Sequence, residues 1–189
     1  MLFEEDIKKS LDVLRSGGVI LYPTDTIWGL GCDPTYPSAI DKIFSIKSRP
    51  EKLSLIILVN GIQMLERYVK EVPETAYKLI EVSEKPLTII YPHGINLAPQ
   101  VCAEDGSVGI RICSDLFCSE LISRLRKPLA STSANMSGKS SPSNFGEIDK
   151  TIIKTVDYVV GYRQNDSQKH DPSPVIKIEN NGVFKILRI

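Results

Sequence analysis

Residues 19–59 constrain the fold more than any other stretch, because two short apolar runs there enclose a polar loop and a helical pattern. The apolar runs span 19–22 and 55–59. A polar loop with two closely spaced glycines occupies 24–31, and apolar side chains then recur at helical spacing through 38–46. Strand, loop, helix and strand in this order predict a βαβ unit.

Apolar periodicity along the rest of the chain predicts further helices and strands in alternation. Helical spacing covers 4–16, 61–82 with a break at Pro73, 116–125 and 145–153, whereas strand-like runs cover 87–91, 107–112, 128–131, 158–160, 175–178 and 183–187. An Asn181-Gly182 pair is typical of the tight turn between two strands of a hairpin. The alternation predicts an α/β fold with a mixed sheet. Because no linker divides the chain, residues 1–189 are expected to form a single domain.

The charge composition argues against a protein that binds nucleic acid over its whole surface. Lys plus Arg and Asp plus Glu each number 23, so the formal net charge of the 189 residues is zero. Any contact with RNA would have to come from a local basic patch. The N-terminal segment is charged and amphipathic, and no apolar run approaches membrane-spanning length. We therefore expect a cytoplasmic protein without a membrane partner.

The cysteines and histidines do not have the spacing of a metal site. The four cysteines, at positions 32, 102, 113 and 118, form no C-x-x-C pair, and His93 and His170 are each isolated. Zinc sites built from protein ligands usually contain closely spaced pairs of such residues. We therefore predict free thiols in reducing surroundings and no protein-built metal site.

Three polar clusters could carry chemistry, and the first lies within the 19–59 stretch. Thr24 and Thr26 supply hydroxyls, while Lys47 and Arg49 supply cations that suit a carboxylate or a phosphate. The alternative is structural: the threonines would shape a turn, and the two cations would complete the C-terminus of a helix.

The other two clusters are less specific. The run STSANMSGKSSPS at 131–143 follows a predicted strand, and its amides and hydroxyls could surround phosphate oxygens. It lacks the spacing of a nucleotide P-loop, so a solvated serine-rich loop is the alternative. The third cluster combines Arg111 with Ser107, four residues earlier on the same face of a predicted strand. A lone strand arginine, however, often only extends its head group to solvent.

The order of the motifs along the chain is more specific than any one of them. YPTDTIWGLG is followed by KSRP, SVGIR and STSANMSG, and then by a late PS-x-V strand. From Gly17 to Arg188 this order resembles the YrdC family. The resemblance implies a twisted, mixed open sheet with flanking helices and a broad concave basic cleft. It also implies a nucleotidyltransferase that makes threonylcarbamoyl-AMP and pyrophosphate from L-threonine, bicarbonate and ATP, for the threonylcarbamoyl modification of the tRNA adenosine beside the anticodon.

The resemblance further implies roles for individual residues. Lys47 and Arg49 would be catalytic and would face the phosphates and the carboxylated amine. The residues expected to bind L-threonine are Thr26, Arg111, Ser131 and Ser173. The residues expected to bind ATP are Arg49, Ser107, Ser133, Asn135, Ser141 and Arg188. Mg²⁺ would be carried mainly by the ATP phosphates, and a tRNA threonylcarbamoyl transferase complex would act downstream.

Four positions depart from the family pattern and leave other functions open. Leu53 and Leu58 stand where polar residues are usual, and Cys113 and Pro174 interrupt two of the motifs. A YciO-type paralogue with weak or altered activity is one alternative. A non-catalytic module that binds double-stranded RNA through the basic cleft is another, and its binding would depend strongly on salt.

Overall fold

The computed structural model describes residues 2–48 and 55–189, which form six α-helices and nine β-strands. The helices are α1 (Leu2–Arg15), α2 (Pro37–Ile46), α3 (Ile62–Leu65), α4 (Glu74–Val82), α5 (Leu116–Leu125) and α6 (Lys150–Thr155). The strands are β1 (Ile20–Tyr22), β2 (Gly29–Cys32), β3 (Ile56–Val59), β4 (Thr88–Tyr91), β5 (Val108–Ile112), β6 (Leu129–Ser133), β7 (Tyr158–Val159), β8 (Val175–Ile178) and β9 (Phe184–Arg188).

These nine strands form one mixed sheet. Their order across the sheet is β7-β1-β2-β6-β3-β5-β4-β8-β9. The pairs β1–β7, β3–β5 and β4–β8 are parallel, and the remaining pairs are antiparallel. The predicted α/β fold with a twisted mixed sheet is confirmed.

The predicted βαβ unit is wrong, because part of the predicted loop is a strand. Gly29–Cys32 forms β2, which pairs antiparallel with β1, and β6 lies between β2 and β3. The chain therefore runs from β2 through α2 to β3 as a βαβ unit that an inserted strand has split. A glycine allows the ring of Tyr22 to lie against β2, since a Cβ at Gly31 would be 2.6 Å from Cε1 of that ring.

Strand β6 extends two residues beyond the predicted strand, because it continues to pair with β2. Thr132 pairs with Leu30, and Ser133 pairs with Gly29. The serine-rich run at 131–143 therefore begins inside the sheet. Since side chains alternate between the two faces of a strand, Ser131 and Ser133 point to the same face.

The bounds of the predicted helix at 145–153 are also wrong. Phe145–Glu147 forms a short 3-10 turn, and α6 begins only at Lys150. The side chain of Asp149 caps α6 by accepting a hydrogen bond from the N–H of Thr151 at 2.9 Å. An N-cap residue has a non-helical backbone, so Asp149 separates the two segments. Helix α5, the break at Pro73 and the β8–β9 hairpin lie where the sequence predicts them.

The helices pack on the sheet through apolar faces. Helix α1 buries Ile7, Leu11 and Leu14, as its sequence pattern predicts, and packs against α5. Phe3 and Phe117 meet edge to face, with ring centroids 5.7 Å apart. These contacts, together with those between α5 and β3, fix α5 against the sheet. None of the helices in the described part of the chain is long and apolar enough to cross a membrane.

The four cysteines are free, as predicted. Cys32, Cys113 and Cys118 are buried, and Cys102 is half-buried. Burial raises the pKa of the Cys32 and Cys118 thiols. A raised pKa keeps a thiol protonated and unreactive, so the Cys32 and Cys118 side chains contribute packing to the core rather than chemistry.

Candidate functional site

One face of the sheet carries an open cavity of about 210 Å³. Seven of the predicted site residues line it: Thr26, Arg111, Ser131, Ser133, Ser141, Ser173 and Arg188. They come from loops and strands that are far apart along the chain. The fold therefore brings together residues that the motifs had indicated separately.

The register of the strands explains why these side chains meet. Ser131 on β6 pairs with Gly31 on one side and with Ile56 on the other. Arg111 on β5 pairs with Thr88 on β4. Because ladder partners point to the same face of a sheet, these positions form one continuous floor.

A buried ion pair lies beside this floor. Nη2 of Arg111 is 2.9 Å from Oδ1 of Asp25, and the two side chains are only 4% and 8% exposed. The contact does not meet hydrogen-bond geometry, and within 2–48 and 55–189 neither Asp25 oxygen nor Nε of Arg111 has a hydrogen-bond partner. The short distance still establishes charge attraction between the two groups. A buried N–H without a partner is costly, so Asp25 does not fully satisfy the guanidinium of Arg111, which also lines the cavity.

A second guanidinium makes the cavity more favourable for an anion. Arg188 on β9 donates from Nε and Nη2 to the backbone oxygen of Ser173, at 3.0 and 2.7 Å. Burial lowers the pKa of Arg188, and the positive charge of Arg111 lowers it further. Two guanidiniums and one carboxylate, that of Asp25 beside Arg111, leave an excess positive charge in a partly desolvated space. Such a space suits a carboxylate or a phosphate.

Hydroxyl groups supply much of the remaining polar surface. The hydroxyl of Thr24 donates to the backbone oxygen of Ile27 at 2.8 Å and accepts from the N–H of Thr26 at 3.0 Å. The hydroxyl oxygens of Thr24 and Thr26 are 3.1 Å apart. Because the Thr24 proton is engaged by Ile27, Thr26 donates in this contact and keeps lone pairs for a ligand. Across the cavity, the hydroxyls of Thr88 and Ser173 are 2.8 Å apart.

Lys47 is buried at the end of α2, and its ammonium group reaches the turn that follows β6. Nζ donates to the backbone oxygens of Ser133 and Asn135, the latter at 2.7 Å. Lys47 is not among the residues that line the cavity in the described ranges, but it contacts the backbone of Ser133, which does. Its own N–H also closes α2 by donating to the oxygen of Ile43. Lys47 thus ends α2 and also lies next to a residue of the cavity wall, so its role at the helix end does not exclude a role in ligand binding.

Asn135 shapes the turn after β6. Its Oδ1 accepts a hydrogen bond from the hydroxyl of Ser133, and its Nδ2 donates to the backbone oxygens of Met136 and Lys139, at 3.1 and 2.6 Å. The N–H of Ser137 donates to the backbone oxygen of Lys47 at 3.1 Å. Asn135 therefore lies beside the cavity and holds the turn against the end of α2.

Two of the singled-out positions lie outside the described residues, and a third is buried within the sheet. Arg49, predicted to be catalytic and to bind ATP, lies outside the described residues, as does Leu53. Leu58 is fully buried on β3 and pairs with Arg111. The apolar residue at this position therefore belongs to the interior of the sheet.

Ser107 lies beside a second hollow, four residues before Arg111 on the same side of β5. This hollow is lined by residues that include His93, Asp105 and Lys177. Asp105 accepts from the N–H of Ser107 at 2.9 Å and pairs with Lys177 at 2.8 Å. The hydrogen bond from Lys177, followed by those from Ser107, holds the pKa of Asp105 below its usual range. Four residues of strand separate the two sites by about 13 Å.

The sequence analysis missed several residues that build the site. Thr88, Trp28 and Pro172 line the cavity. Trp28 and Pro172 belong to the YPTDTIWGLG and PS-x-V motifs, whereas nothing in the local sequence distinguishes Thr88 from an ordinary strand residue. Tyr22 is fully buried, and its hydroxyl donates to Oγ of Ser131 at 2.8 Å. Its position in the YPTDT motif was the available signal.

Arg163 connects two loops near the cavity. Its Nη1 donates to the backbone oxygen of Thr24 at 3.1 Å and to Oδ2 of Asp115 at 3.0 Å, and its Nη2 donates to Asp166 at 3.2 Å. The backbone of Arg163 is left-handed, with φ 64°. Arg163 therefore holds in place the backbone oxygen of Thr24, in the loop between β1 and β2.

The described residues do not offer a ready-made metal cage. Within 2–48 and 55–189, no group of three His, Cys, Asp or Glu side chains is placed to hold a metal ion. Asp25, beside the cavity, faces Arg111.

Comparisons with known proteins show which family this chain resembles. The Sua5/YciO/YrdC family model, described as telomere recombination, matches residues 12–189. A threonylcarbamoyl-AMP synthase of Stenotrophomonas maltophilia is 31% identical over 160 residues, which cover 83% of this chain and 86% of that protein.

Solved structures show the same fold. The structure of P. abyssi Sua5 complexed with L-threonine matches with a TM-score of 0.81 and 28% identity over 96% of this chain, which spans about half (53%) of that protein. E. coli YciO matches with a TM-score of 0.83 and 24% identity, over 96% of this chain and 87% of that one, which shows a shared fold. The chain therefore belongs to the Sua5/YciO/YrdC family.

Proposed function

We propose that this protein is an L-threonylcarbamoyladenylate synthase, a nucleotidyltransferase that forms threonylcarbamoyl-AMP and pyrophosphate from L-threonine, bicarbonate and ATP. The observation that supports this most directly is the single cavity lined by seven residues from separate motifs. The name of the Stenotrophomonas relative and the L-threonine bound to the P. abyssi protein support the same reaction.

The cavity has groups that match each end of L-threonine. The carboxylate would lie against the guanidinium of Arg111, which lines the cavity. The hydroxyls of Thr26, Ser131 and Ser173 would supply further hydrogen bonds to the amino acid. The volume of about 210 Å³ suits a small amino acid together with part of a phosphate chain.

The reaction requires a nucleophile, an electrophile and a leaving group. The amine of threonine and bicarbonate condense to a carbamate with loss of water. A carbamate oxygen then attacks the α-phosphorus of ATP, and pyrophosphate leaves with the electron pair of the broken P–O bond. The protein would act mainly by positioning both substrates and by offsetting negative charge. Exclusion of water from the cavity would slow the loss of the carbamate.

ATP would extend from this cavity along the sheet. Ser133, Ser141 and Arg188 would bind its phosphates at the cavity, and Asn135 would hold the turn that carries Ser133. The Ser107 hollow lies about 13 Å away along β5, a distance that the nucleoside end of ATP can span. Ser107 would therefore contact the end of ATP far from the reaction.

Lys47 and Arg49 are proposed as the catalytic cations. The ammonium of Lys47 already contacts the backbone of Ser133 and Asn135, so it is close to where phosphates would bind. Mg²⁺ is proposed to arrive with ATP as the magnesium complex, since the described residues offer no group of metal ligands.

The downstream partner would be a tRNA threonylcarbamoyl transferase complex, because a mixed anhydride of a carbamate and AMP is an activated group donor. Direct RNA contact, the basic character of the cleft and a cytoplasmic location stay predictions. A YciO-type relative of altered activity differs from the leading proposal in its dependence on threonine, which an assay can measure.

The test follows pyrophosphate from labelled ATP with Mg²⁺ and bicarbonate, with and without L-threonine. We expect release that requires threonine. Arg111→Lys keeps the charge but loses the planar fork of donors, so we expect the threonine KM to rise at least about tenfold. Arg124→Lys on the surface of α5 is the matched control.

Two results would contradict the proposal. Pyrophosphate release that ignores threonine would favour a YciO-type activity. Absence of release, combined with RNA binding that falls steeply with salt, would favour a non-catalytic RNA-binding module.

A further inference from the structure

Two hydroxyls in the cavity have different hydrogen-bonding states, which follow from counting their protons. A hydroxyl has one proton to donate and two lone pairs. Thr26 uses its proton on Thr24, because the proton of Thr24 is engaged by Ile27. Thr26 can therefore offer only lone pairs to a ligand. Its natural ligand is a hydrogen-bond donor.

Ser131 is in the opposite state. Its Oγ accepts the proton of the Tyr22 hydroxyl at 2.8 Å, and no hydrogen bond donated by Ser131 is found within 2–48 and 55–189. Its proton is therefore left for the cavity that it lines. Ser131 is 3% exposed and Tyr22 is fully buried, so bulk water does not compete with this arrangement.

The packing around Tyr22 keeps its hydroxyl in this place. A Cβ at Gly31 would lie 2.6 Å from the Tyr22 ring, and one at Gly29 would lie 3.0 Å from Oγ of Ser131. Both positions are glycine, which leaves room for the ring and for the serine. Burial raises the pKa of Tyr22, so the phenol stays protonated and acts as a donor.

We propose that Tyr22 is a positioning residue, which binds no substrate itself but directs the proton of Ser131 into the cavity, toward the carboxylate of the amino acid that Arg111 binds. This rests on the proposed function, since the amino acid is taken to be L-threonine. Thr26, as an acceptor, would face the hydroxyl or amine of the same ligand. The cavity would thus recognise the two ends of the amino acid by hydroxyls of opposite polarity.

The test measures L-threonine binding by calorimetry and the KM values for threonine and ATP in a double-mutant cycle. Tyr22→Phe keeps the ring and removes the hydroxyl. We expect threonine to bind about three- to tenfold more weakly, with the KM for ATP unchanged. Ser131→Ala should weaken threonine binding by at least as much. The double variant should bind threonine no more weakly than Ser131→Ala alone, because Tyr22 would act through Ser131.

The matched control is Tyr91→Phe, on the opposite face of the sheet. Tyr91 is also buried, at 1% exposure, and it lines a separate hollow with mostly apolar walls. It should leave threonine affinity unchanged. Melting temperatures of all variants separate loss of binding from loss of fold.

The outcomes distinguish this proposal from the proposed function. Wild-type protein that does not bind threonine would overturn both. Wild-type protein that binds threonine, with Tyr22→Phe indistinguishable from Tyr91→Phe, would overturn only the role of Tyr22. So would an equal loss caused by Tyr22→Phe in the wild-type and Ser131→Ala backgrounds, since the phenol would then act independently of Ser131.

Discussion

At the scale of single residues, the site is built from buried polar groups that stabilise one another. Lys47 and Arg111 are 2% and 4% exposed, yet both are charged. A buried charge requires an ion pair or hydrogen bonds. Arg111 has Asp25, and Lys47 has backbone oxygens of the turn after β6. The same residues should therefore affect both stability and activity.

Lys47→Ala is expected to lower the stability of the protein as well as its turnover. The change removes a charged donor from the half-buried carbonyl oxygens of Ser133 and Asn135, and the Ser133 oxygen keeps the hydrogen bond from the N–H of Asn135 at 2.9 Å. We expect the free energy of unfolding to fall by about 2–4 kcal/mol, and threonine-dependent pyrophosphate release to be lost. Urea unfolding and the pyrophosphate assay measure the two effects.

The matched control is Lys78→Ala, on the exposed surface of α4. The Lys78 side chain is 70% exposed and pairs with Glu74 one turn away, so this change should stay within about 0.5 kcal/mol of wild type. A Lys47→Ala variant with wild-type stability would contradict the burial argument, and wild-type turnover would remove Lys47 from the mechanism.

At the scale of elements, two loops that are distant in sequence depend on each other. Arg163, in the loop that follows β7, donates to the carbonyl of Thr24 and to Asp115, the cap of α5. The loop between β1 and β2 is thereby fixed to the start of α5. The position of the Thr26 hydroxyl in the cavity depends on this connection.

Arg163→Ala should destabilise the protein by about 1–3 kcal/mol and raise the threonine KM severalfold. The reason is that the backbone oxygen of Thr24 loses its donor and the carboxylate of Asp115 loses its cation. Arg163→Gly should be more stable than Arg163→Ala by about 1 kcal/mol, since glycine adopts the left-handed φ of 64° without strain. Chemical unfolding and steady-state kinetics measure both effects.

Arg124→Ala is the control for Arg163. The Arg124 side chain is 41% exposed and pairs with Glu4 and Glu120 on the surface, so its loss should cost no more than about 1 kcal/mol. A threonine KM that is unchanged in both Arg163 variants would show that the connection is not needed for the site.

At the scale of the whole molecule, a nine-stranded sheet encloses ionisable groups in their neutral forms. Burial raises the pKa of the thiols of Cys32 and Cys118 and of the phenols of Tyr22 and Tyr91. In the unfolded chain these groups would lose their protons at about pH 8.5 for thiols and about pH 10 for phenols. The folded state keeps its protons to higher pH.

We therefore expect an alkaline loss of stability. Above about pH 8.5 the unfolded state binds fewer protons than the folded state, so the free energy of unfolding falls as pH rises; below that pH the contribution is fully present. Each fully perturbed group contributes up to about 1.4 kcal/mol per pH unit. Urea unfolding between about pH 7 and pH 10.5 measures the slope.

Cys32→Ala should make this slope shallower by up to about 1.4 kcal/mol per pH unit, the contribution of one titrating group. Cys102→Ala, at a half-buried thiol, should change the slope less. Identical slopes in wild type and Cys32→Ala would show that Cys32 does not keep its proton through folding.

Local patterns explain which parts of the fold were predictable. Helix α5 at Leu116–Leu125 and the hairpin around Asn181-Gly182 depend on side-chain spacing and turn chemistry within a few residues. Strand β2 was missed because Gly29 and Gly31 have little preference for a strand by themselves. They become strand residues because β1 and β6 pair on either side of them.

The candidate site shows the same division. The resemblance carried by the motifs implied Thr26, Arg111, Ser131 and Ser173 as the residues that bind the amino acid. The motifs could not indicate that Ser107 lies beside a different hollow from Arg111, since periodicity places both on one face of β5 but gives no cavity bounds.

The sequence by itself determined which chemical groups are present, the alternation of helices and strands, and the membership of the family. Only the tertiary structure decided the order of the strands, the ion pair between Asp25 and Arg111, and the hydrogen-bond partners of the Thr26 and Ser131 hydroxyls. The physical reason is that each of these depends on partners far away in the chain. Propensity and periodicity act over a few residues, whereas a buried charge or hydroxyl is oriented by whichever group the fold places beside it.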